Sequence, residues 1–358
     1  MNEFFKDLKI IELANVLAGP AVGMFFSELG AQVIKIENKL TNGDVTRTWK
    51  LASEDKTLNY SAYYASVNYN KKSLFLDFTI DTDKQKAYDL LKDADIVISN
   101  YKPGDDIKLG FDYETIKELN PSIIYAHLTG FGKESKRTAY DLVLQAETGF
   151  MFMNGEKDAL PLKMPVALID ILAAHQLKEG ILVALLKKMK TGKGSEVTVS
   201  LYDSAIASLA NQASNWLMTG YNPIAIGSKH PNIAPYGELF DTNDHQKIVL
   251  AIGNNKQFEL LCNTLNLNEL ILDDNYATNT NRVKNRSELF TILNTAISIH
   301  SSVELMKIFI EKDIPAGIVK SLKDVFSEKE SEGLVLTDEN EALKIISKRV
   351  KTAVFNVK

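Results

Sequence analysis

The sequence predicts an α/β protein with a Rossmann-like, open and mostly parallel sheet in a large domain, accompanied by a smaller α+β domain. Two observations carry this. Over the first 130 residues, short β-branched and apolar runs alternate with helical segments, the repeat of βαβ units that builds a parallel sheet with helices on both faces. Past Tyr221 the texture changes, because Pro223, Gly227, Pro231, Pro235 and Gly237 crowd together and mark a domain boundary. At 358 residues the chain is long enough for two cores.

The elements follow in order. Residues 8–13 (LKIIEL) read as a strand, Gly19 and Pro20 punctuate the chain before a helix reaching Leu29, and residues 31–37 (AQVIKIE) read as a second strand. The pattern recurs with a strand at 73–78, a helix at 83–94, a strand at 95–99 (DIVIS), a helix at 113–119 and a strand at 123–129 (IIYAHLT). Apolar residues at helical spacing run over 171–189, and Gly192 and Gly194 stop that helix because glycine accepts positive φ. A strand at 196–200 and a helix from 201 to about 218 complete the large domain.

In the small domain, residues 239–253 alternate like a hairpin turning at Thr242, Asn243 and Asp244, and helices are predicted at 256–265 and 286–299. The remainder holds an apolar run at 316–319, a helix at 322–326 and a strand-like run at 350–357. That piece is expected to return to the large domain, so the divisions are 1–222, 223–314 and 315–358.

Composition narrows the chemistry. Lys and Arg number 41 against 46 Asp and Glu, a net charge of −5, so no global basic field favours nucleic acid and a polyanionic ligand needs a local basic site. The single Cys262 rules out an intrachain disulfide, fits a reducing cytoplasm, and sits in an apolar run as a core thiol would. No apolar run of about 18 residues predicts a membrane span. His127, His175, His230, His245 and His300 are scattered without metal-ligand spacing, and no metal is expected. Neither Gly-x-Ser-x-Gly nor Gly-x-Gly-x-x-Gly occurs, which removes a hydrolase elbow and a conventional dinucleotide fingerprint.

What stands out is Asp170, which closes the apolar run at 164–169 and opens the helix containing Ala173 and Ala174. Two readings fit it. It is an N-cap, or it is a carboxylate kept ionised by the helix end and poised as a nucleophile.

A series of motifs extends this. They are Val-Leu-Ala-Gly-Pro at 16–20, Leu-Gly-Ala-Gln-Val-Ile-Lys-Ile-Glu at 29–37, Gly-Asp-Val-Thr-Arg at 43–47, Asn-Lys-Lys-Ser at 70–73 and Asn-Tyr-Lys-Pro-Gly at 100–104. Tyr-Asp at 140–141, Thr-Gly-Lys-Gly at 191–194, His-Pro at 230–231, Ala-Pro-Tyr at 234–236, Ala-Thr-Asn at 277–279, Arg-Val at 282–283 and Asn-Arg at 285–286 follow. In this order and spacing the chain resembles the class III (CaiB/BaiF-type) CoA-transferases, a family that includes formyl-CoA and carnitine-type transferases and acyl-CoA racemases.

The resemblance implies that Asp170 is the nucleophile. It implies a coenzyme A cradle in which Val16 and Ala18 lie along CoA, Leu76 meets adenine, Asn100 and Tyr101 flank the adenosine and pantetheine parts, and Lys108 meets phosphate. Arg137, Tyr140 and Asp141 complete the candidate CoA-binding set. Asn38 and Thr79 stand where the family carries basic residues, leaving Lys39, Lys71, Lys72 or Arg137 to supply charge. Tyr140 stands where racemases carry His, and a phenol titrating near pH ~10 is a poorer neutral-pH base than an imidazole near ~6.5, which favours transfer over racemisation. Residues 225–230, matching a glycine-rich shielding loop, hold only Gly227. Tyr140, Gln145 and Trp49 are expected to line the pocket.

The implied activity moves CoA from an acyl-CoA to a small acceptor carboxylic acid through an aspartyl acyl anhydride on Asp170. An acyl-CoA racemase or epimerase and a non-catalytic CoA-binding protein are the alternatives. The resemblance also implies an interlocked homodimer, while the charge balance, the lack of a long apolar run and the single cysteine lead to the expectation of no nucleic-acid or membrane partner and a cytoplasmic location.

Overall fold

The structure is a computed structural model that describes residues 4–340 and 345–355. It separates into two units, Met1–Met151 with Lys163–Asn222 and Glu330–Lys358, and Phe152–Leu162 with Pro223–Lys329.

The first unit is built on six parallel strands: β1 (Lys9–Glu12), β2 (Gln32–Asn38), β3 (Lys72–Leu76), β4 (Ile96–Ser99), β5 (Ile124–Thr129) and β6 (Ser195–Ser200). Their order is β3-β2-β1-β4-β5-β6. Successive side chains point to opposite faces. Ile96 and Ile98 therefore pack with helices Ala18–Glu28 and Leu168–Thr191, while Val97 packs with helices Asp81–Lys92 and Tyr113–Leu119. Strands covered on both faces read as near-continuous apolar runs, and all four residues of β4 are buried. The chain order reverses between β1 and β4, which opens a crevice at their carboxyl ends, the usual ligand position in such sheets.

Two glycines of the Thr-Gly-Lys-Gly motif act differently. Gly192 ends the Leu168–Thr191 helix at φ +69, and a Cβ on Gly194 would lie 2.1 Å from the Ile123 carbonyl oxygen, so only glycine lets β6 start beside β5. The single helix expected from 201 to about 218 is two, Leu201–Ala207 and Ala210–Thr219, with Ala210 at φ +46. Ser204 and Ser208 donate their hydroxyls to the carbonyls of Ser200 and Ser204, each at 2.7 Å, back-bonding that distorts a helix.

The second unit holds β7 (Tyr236–Asp241), β8 (Lys247–Ala251) and β9 (Ala316–Ile318) in one antiparallel sheet, with helices Asn255–Thr264, Arg286–Ile297 and Ser302–Glu311. The hairpin is where the alternation puts it. Residues 315–329 belong here rather than with the C-terminal return, because β9 pairs with β8, and residues 152–162 belong here too. A short apolar run does not declare its partner strand. The arginines of the Arg-Val and Asn-Arg motifs have structural work: Arg282 donates to the carbonyls of Ala234 (3.0 Å) and Tyr276 (2.9 Å), and Arg286 pairs with Glu238 at 3.0 Å.

The return to the first unit begins at Glu330. It forms the hairpin β10 (Val335–Asn340) and β11 (Ile345–Val350), after which the Glu28 carboxylate accepts the Thr352 and Ala353 N–H groups at 2.9 and 2.8 Å. The strand expected at 350–357 is not formed over 351–355, where these N–H groups bond a side chain instead of a neighbouring strand; Asn356 and Val357 lie outside the described residues. Among the described residues no single helix is long and apolar enough to cross a membrane.

Candidate active site

The crevice is organised by the loop leaving β1. The Asn100 side chain at the end of β4 accepts the Asn15 N–H at 3.1 Å and donates to the Asn15 carbonyl at 2.9 Å, a reciprocal pair that ties the two strand ends. Val16 follows at φ +74, a left-handed conformation that is an outlier for a β-branched residue and costs about 1–3 kcal/mol. Asp44 holds it there by accepting the Val16 N–H at 3.0 Å.

Beneath that loop lies a buried ion network that the sequence reading did not foresee. Lys35 of β2 is fully buried and pairs with Glu12 of β1 at 3.0 Å and Asp44 at 3.2 Å, while Lys71 reaches the other Glu12 oxygen at 2.7 Å. Burial works against the Lys35 charge, yet the carboxylates of Glu12, Asp44 and Glu37 outweigh it and hold its pKa above the ordinary value. Arg47 meets Glu37 with two bonds of 2.7 and 2.6 Å. Burial opposes the Glu37 charge, but the bonds from Arg47, and then the Asp44 N–H that Glu37 accepts at 2.8 Å, bring its carboxyl down to about 2. Its signal was present: two charged residues, Lys35 and Glu37, interrupt an apolar strand next to the sheet centre. Lys71, one of the four residues offered as a source of charge, has a buried side chain committed to Glu12, to the Pro20 carbonyl at 2.7 Å and to Asn68 at 3.1 Å.

Beyond β4 and β5, Asn100, Tyr101, Leu128, Thr129 and Arg137 line a cavity of about 130 Å³. Arg137 stacks over Phe131 at 4.0 Å and pairs with Glu147 at 2.7 Å. Ala18 is the first residue of its helix, and Lys108 is an exposed side chain bound to Asp105 at 3.1 Å. Leu76, at 2% exposure, is packed with Leu91 and Phe111 and has almost no free surface.

Asp170 occupies the third position of the Leu168–Thr191 helix and is 8% exposed. It is not the cap, which falls at Ala167 and has no side-chain hydrogen bond. The cap comes from elsewhere: Asp141 accepts the Ile169 N–H at 2.7 Å. No hydrogen bond reaches the Asp170 carboxylate from the described residues. Burial, and then the charge of Asp141, push its pKa up from 3.8 to about 7. The expectation of a carboxylate kept ionised by the helix end is corrected, because desolvation and a like charge outweigh the helix dipole.

Two neighbours complete the setting. Tyr63, absent from the sequence reading, is pushed up to about 12 by burial and by Asp170, Asp141 and Asp44, so it remains a phenol at neutral pH. Its ring meets Trp49 edge-on at 5.0 Å. Tyr140, 56% exposed, heads the helix Asp141–Glu147. Gln145 is no wall residue: it is 1% exposed and bonds Asp141 and the Met164 N–H, because its helix packs against the segment leading to Asp170. Among the described residues no cluster of ligating side chains is placed to hold a metal.

A doubly wound sheet with a strained loop at its switch point and a desolvated carboxylate at a helix start is an arrangement suited to group transfer. The profile of CoA-transferase family III matches residues 5–346. The succinate–glutarate CoA-transferase of Agrobacterium fabrum is 37% identical over 90% of this chain and 81% of its own length. The acetyl-CoA:oxalate CoA-transferase of Acetobacter aceti is 32% identical over 87% and 80% respectively. A CaiB/BaiF family crystal structure from Brucella suis superimposes with a TM-score of 0.85, at 34% identity over 99% of this chain and 93% of that one. The chain belongs to CoA-transferase family III, and it is a class III CoA-transferase.

Proposed function

We propose that this enzyme moves CoA between short dicarboxylic acids through an aspartyl acyl anhydride on Asp170. The observation that carries the reading is the Asp170 carboxyl itself, buried, with no hydrogen-bond donor among the described residues, and with its pKa raised to about 7. A carboxylate stripped of solvent is a stronger nucleophile than a hydrated one, and at neutral pH a large fraction is ionised.

The Asp170 oxygen attacks the thioester carbonyl, the C–S bond breaks, and CoA leaves as the thiolate. The thiolate attacks the aspartyl carbonyl of the anhydride, forming an aspartyl thioester and expelling the donor carboxylate. The acceptor carboxylate then attacks that thioester, and the released thiolate takes the acceptor's acyl group and regenerates Asp170. Each step exchanges one activated acyl bond for another, so the free energy of the thioester is retained until the last. Tyr63 is a phenolic donor near the developing charge.

Val16, Ala18, Asn100, Tyr101 and Arg137 hold CoA along the crevice, and the distant nucleotide supplies binding energy away from the reacting atoms. Lys108 contributes charge for phosphate. Leu76 acts through the core beneath adenine. The dicarboxylate assignment rests on the relatives, whose names specify succinate, glutarate and oxalate.

The active form is proposed as a homodimer of interlocked chains. Support comes from apolar side chains left in water on two helices of the first unit: Met189 is 82% exposed, Leu217 79% and Met218 83%.

The test is incubation of wild type, Asp170→Ala and Asp170→Asn with succinyl-CoA and glutarate, quenched in hydroxylamine. Wild type is expected to give glutaryl-CoA and a hydroxamate on Asp170. Full turnover in either variant overturns the reading.

A further inference from the structure

We infer that Gln145 is a positioning residue for the acylation step, holding in place both the segment that delivers Asp170 and the Asp141 carboxylate that faces it. This rests on Asp170 being the acylated residue.

The stretch at 164–167 packs poorly, with Met164 and Val166 exposed and no cap from Ala167, and only at Ile169 does the chain enter the core. Its placement draws on hydrogen bonds, and two reach it from the helix Asp141–Glu147. Gln145 Oε1 accepts the Met164 N–H at 2.8 Å, and Asp141 Oδ1 accepts the Ile169 N–H at 2.7 Å. The two anchors are themselves joined, since Gln145 Nε2 donates to Asp141 Oδ2 at 2.6 Å across one helical turn. One amide thus ties both ends of the segment to the helix Asp141–Glu147.

The chemistry calls for a side chain that donates at one end and accepts at the other. One partner is a carboxylate, which only accepts, and the other a backbone N–H, which only donates; the two ends of a primary amide satisfy both, and this fixes its orientation. The groups facing Asp170 are Asp141 from this helix and Tyr63 from the helix Ala62–Ala65, with Asp44 beyond Tyr63. Of these, Asp141 is the one Gln145 touches.

The experiment follows free thiol release from succinyl-CoA in a single turnover across pH, beside steady-state kcat and KM. Gln145→Leu should lower the single-turnover rate by about 100-fold, the scale on which a misplaced reacting group loses rate. The KM for succinyl-CoA should change far less than the rate, because Val16, Ala18, Asn100 and Tyr101 lie on elements that Gln145 does not touch. Without the Gln145 amide the Asp141 carboxylate loses a donor that offsets its charge, so Asp170 faces more negative charge and the acid limb of the rate should move to higher pH.

Gln145→Glu keeps the volume and both bonds while it shares a proton with Asp141. Relative to wild type it should be near normal at acid pH and fall away as pH rises and a second charge appears. If Gln145→Leu does not fold, Gln145→Glu carries the test alone.

A wild-type rate and acid limb in the folded variants, or a loss of rate and KM together with the limb unmoved, overturns the inference. Asp170→Asn in parallel separates the two claims. Thiol release from that variant removes the Asp170 mechanism, whereas Asp170 labelled normally in unaffected Gln145 variants removes only the positioning role.

Discussion

As the proposed nucleophile, Asp170 faces a conflict between reactivity and solvation. Removing it from water sharpens its nucleophilicity and makes its charge costly, and Asp141 adds to that cost. Acylation should therefore lose rate as pH falls through about 7, whereas a hydrated carboxylate would hold its rate down to near 4. A pH profile of hydroxylamine-trapped acyl-enzyme checks this.

The same group depends on pH in its effect on stability. Its folded pKa lies above the unfolded value, so its contribution is intact below 3.8 and is lost as pH rises from there through about 7. Asp170→Asn removes the charge and should stabilise the protein at pH 8 by up to about 4 kcal/mol, with no gain at pH 3, as read from urea midpoints. Asp170 was legible in the sequence because its apolar run and helix are local. Gln145 was not: its burial follows from a packing partner nearly twenty residues away, which no local pattern reports.

At the scale of elements, the loop after β1 depends on a charge network rather than on apolar packing. Glu12→Gln leaves Lys35 and Lys71 short of a counter-charge and should cost about 3–5 kcal/mol in denaturant titration, the usual penalty for breaking a buried pair. Gly23 shows how tightly the Ala18–Glu28 helix sits on it, since a Cβ there would fall 1.9 Å from a Glu12 carboxylate oxygen. Gly23→Ala should cost about 1–3 kcal/mol by overpacking and raise the KM for acyl-CoA as the Val16 loop shifts. Most strands and long helices were readable from periodicity, within a residue or two at their ends. The break before Ala210 was not, because serine back-bonding leaves the apolar spacing unchanged.

Over the whole molecule, the strand order brings Asn15, Val16 and Asn100 together from segments far apart in the chain. Their meeting is a property of the sheet. The proposed homodimer belongs to this scale too. It predicts that Leu217→Asp combined with Met218→Asp shifts the protein from dimer to monomer in size-exclusion chromatography and abolishes transfer; an unchanged elution volume would remove this face from the interface.

By itself the sequence determined the βαβ alternation, the hairpin of the second unit and the prominence of Asp170, since each is written in residues close together along the chain. The tertiary structure alone decided the order β3-β2-β1-β4-β5-β6, the pairing of β9 with β8, the burial of Lys35 and the raised pKa of Asp170. Strand pairing and desolvation are sums over distant neighbours, and those neighbours are chosen only when the chain has closed on itself.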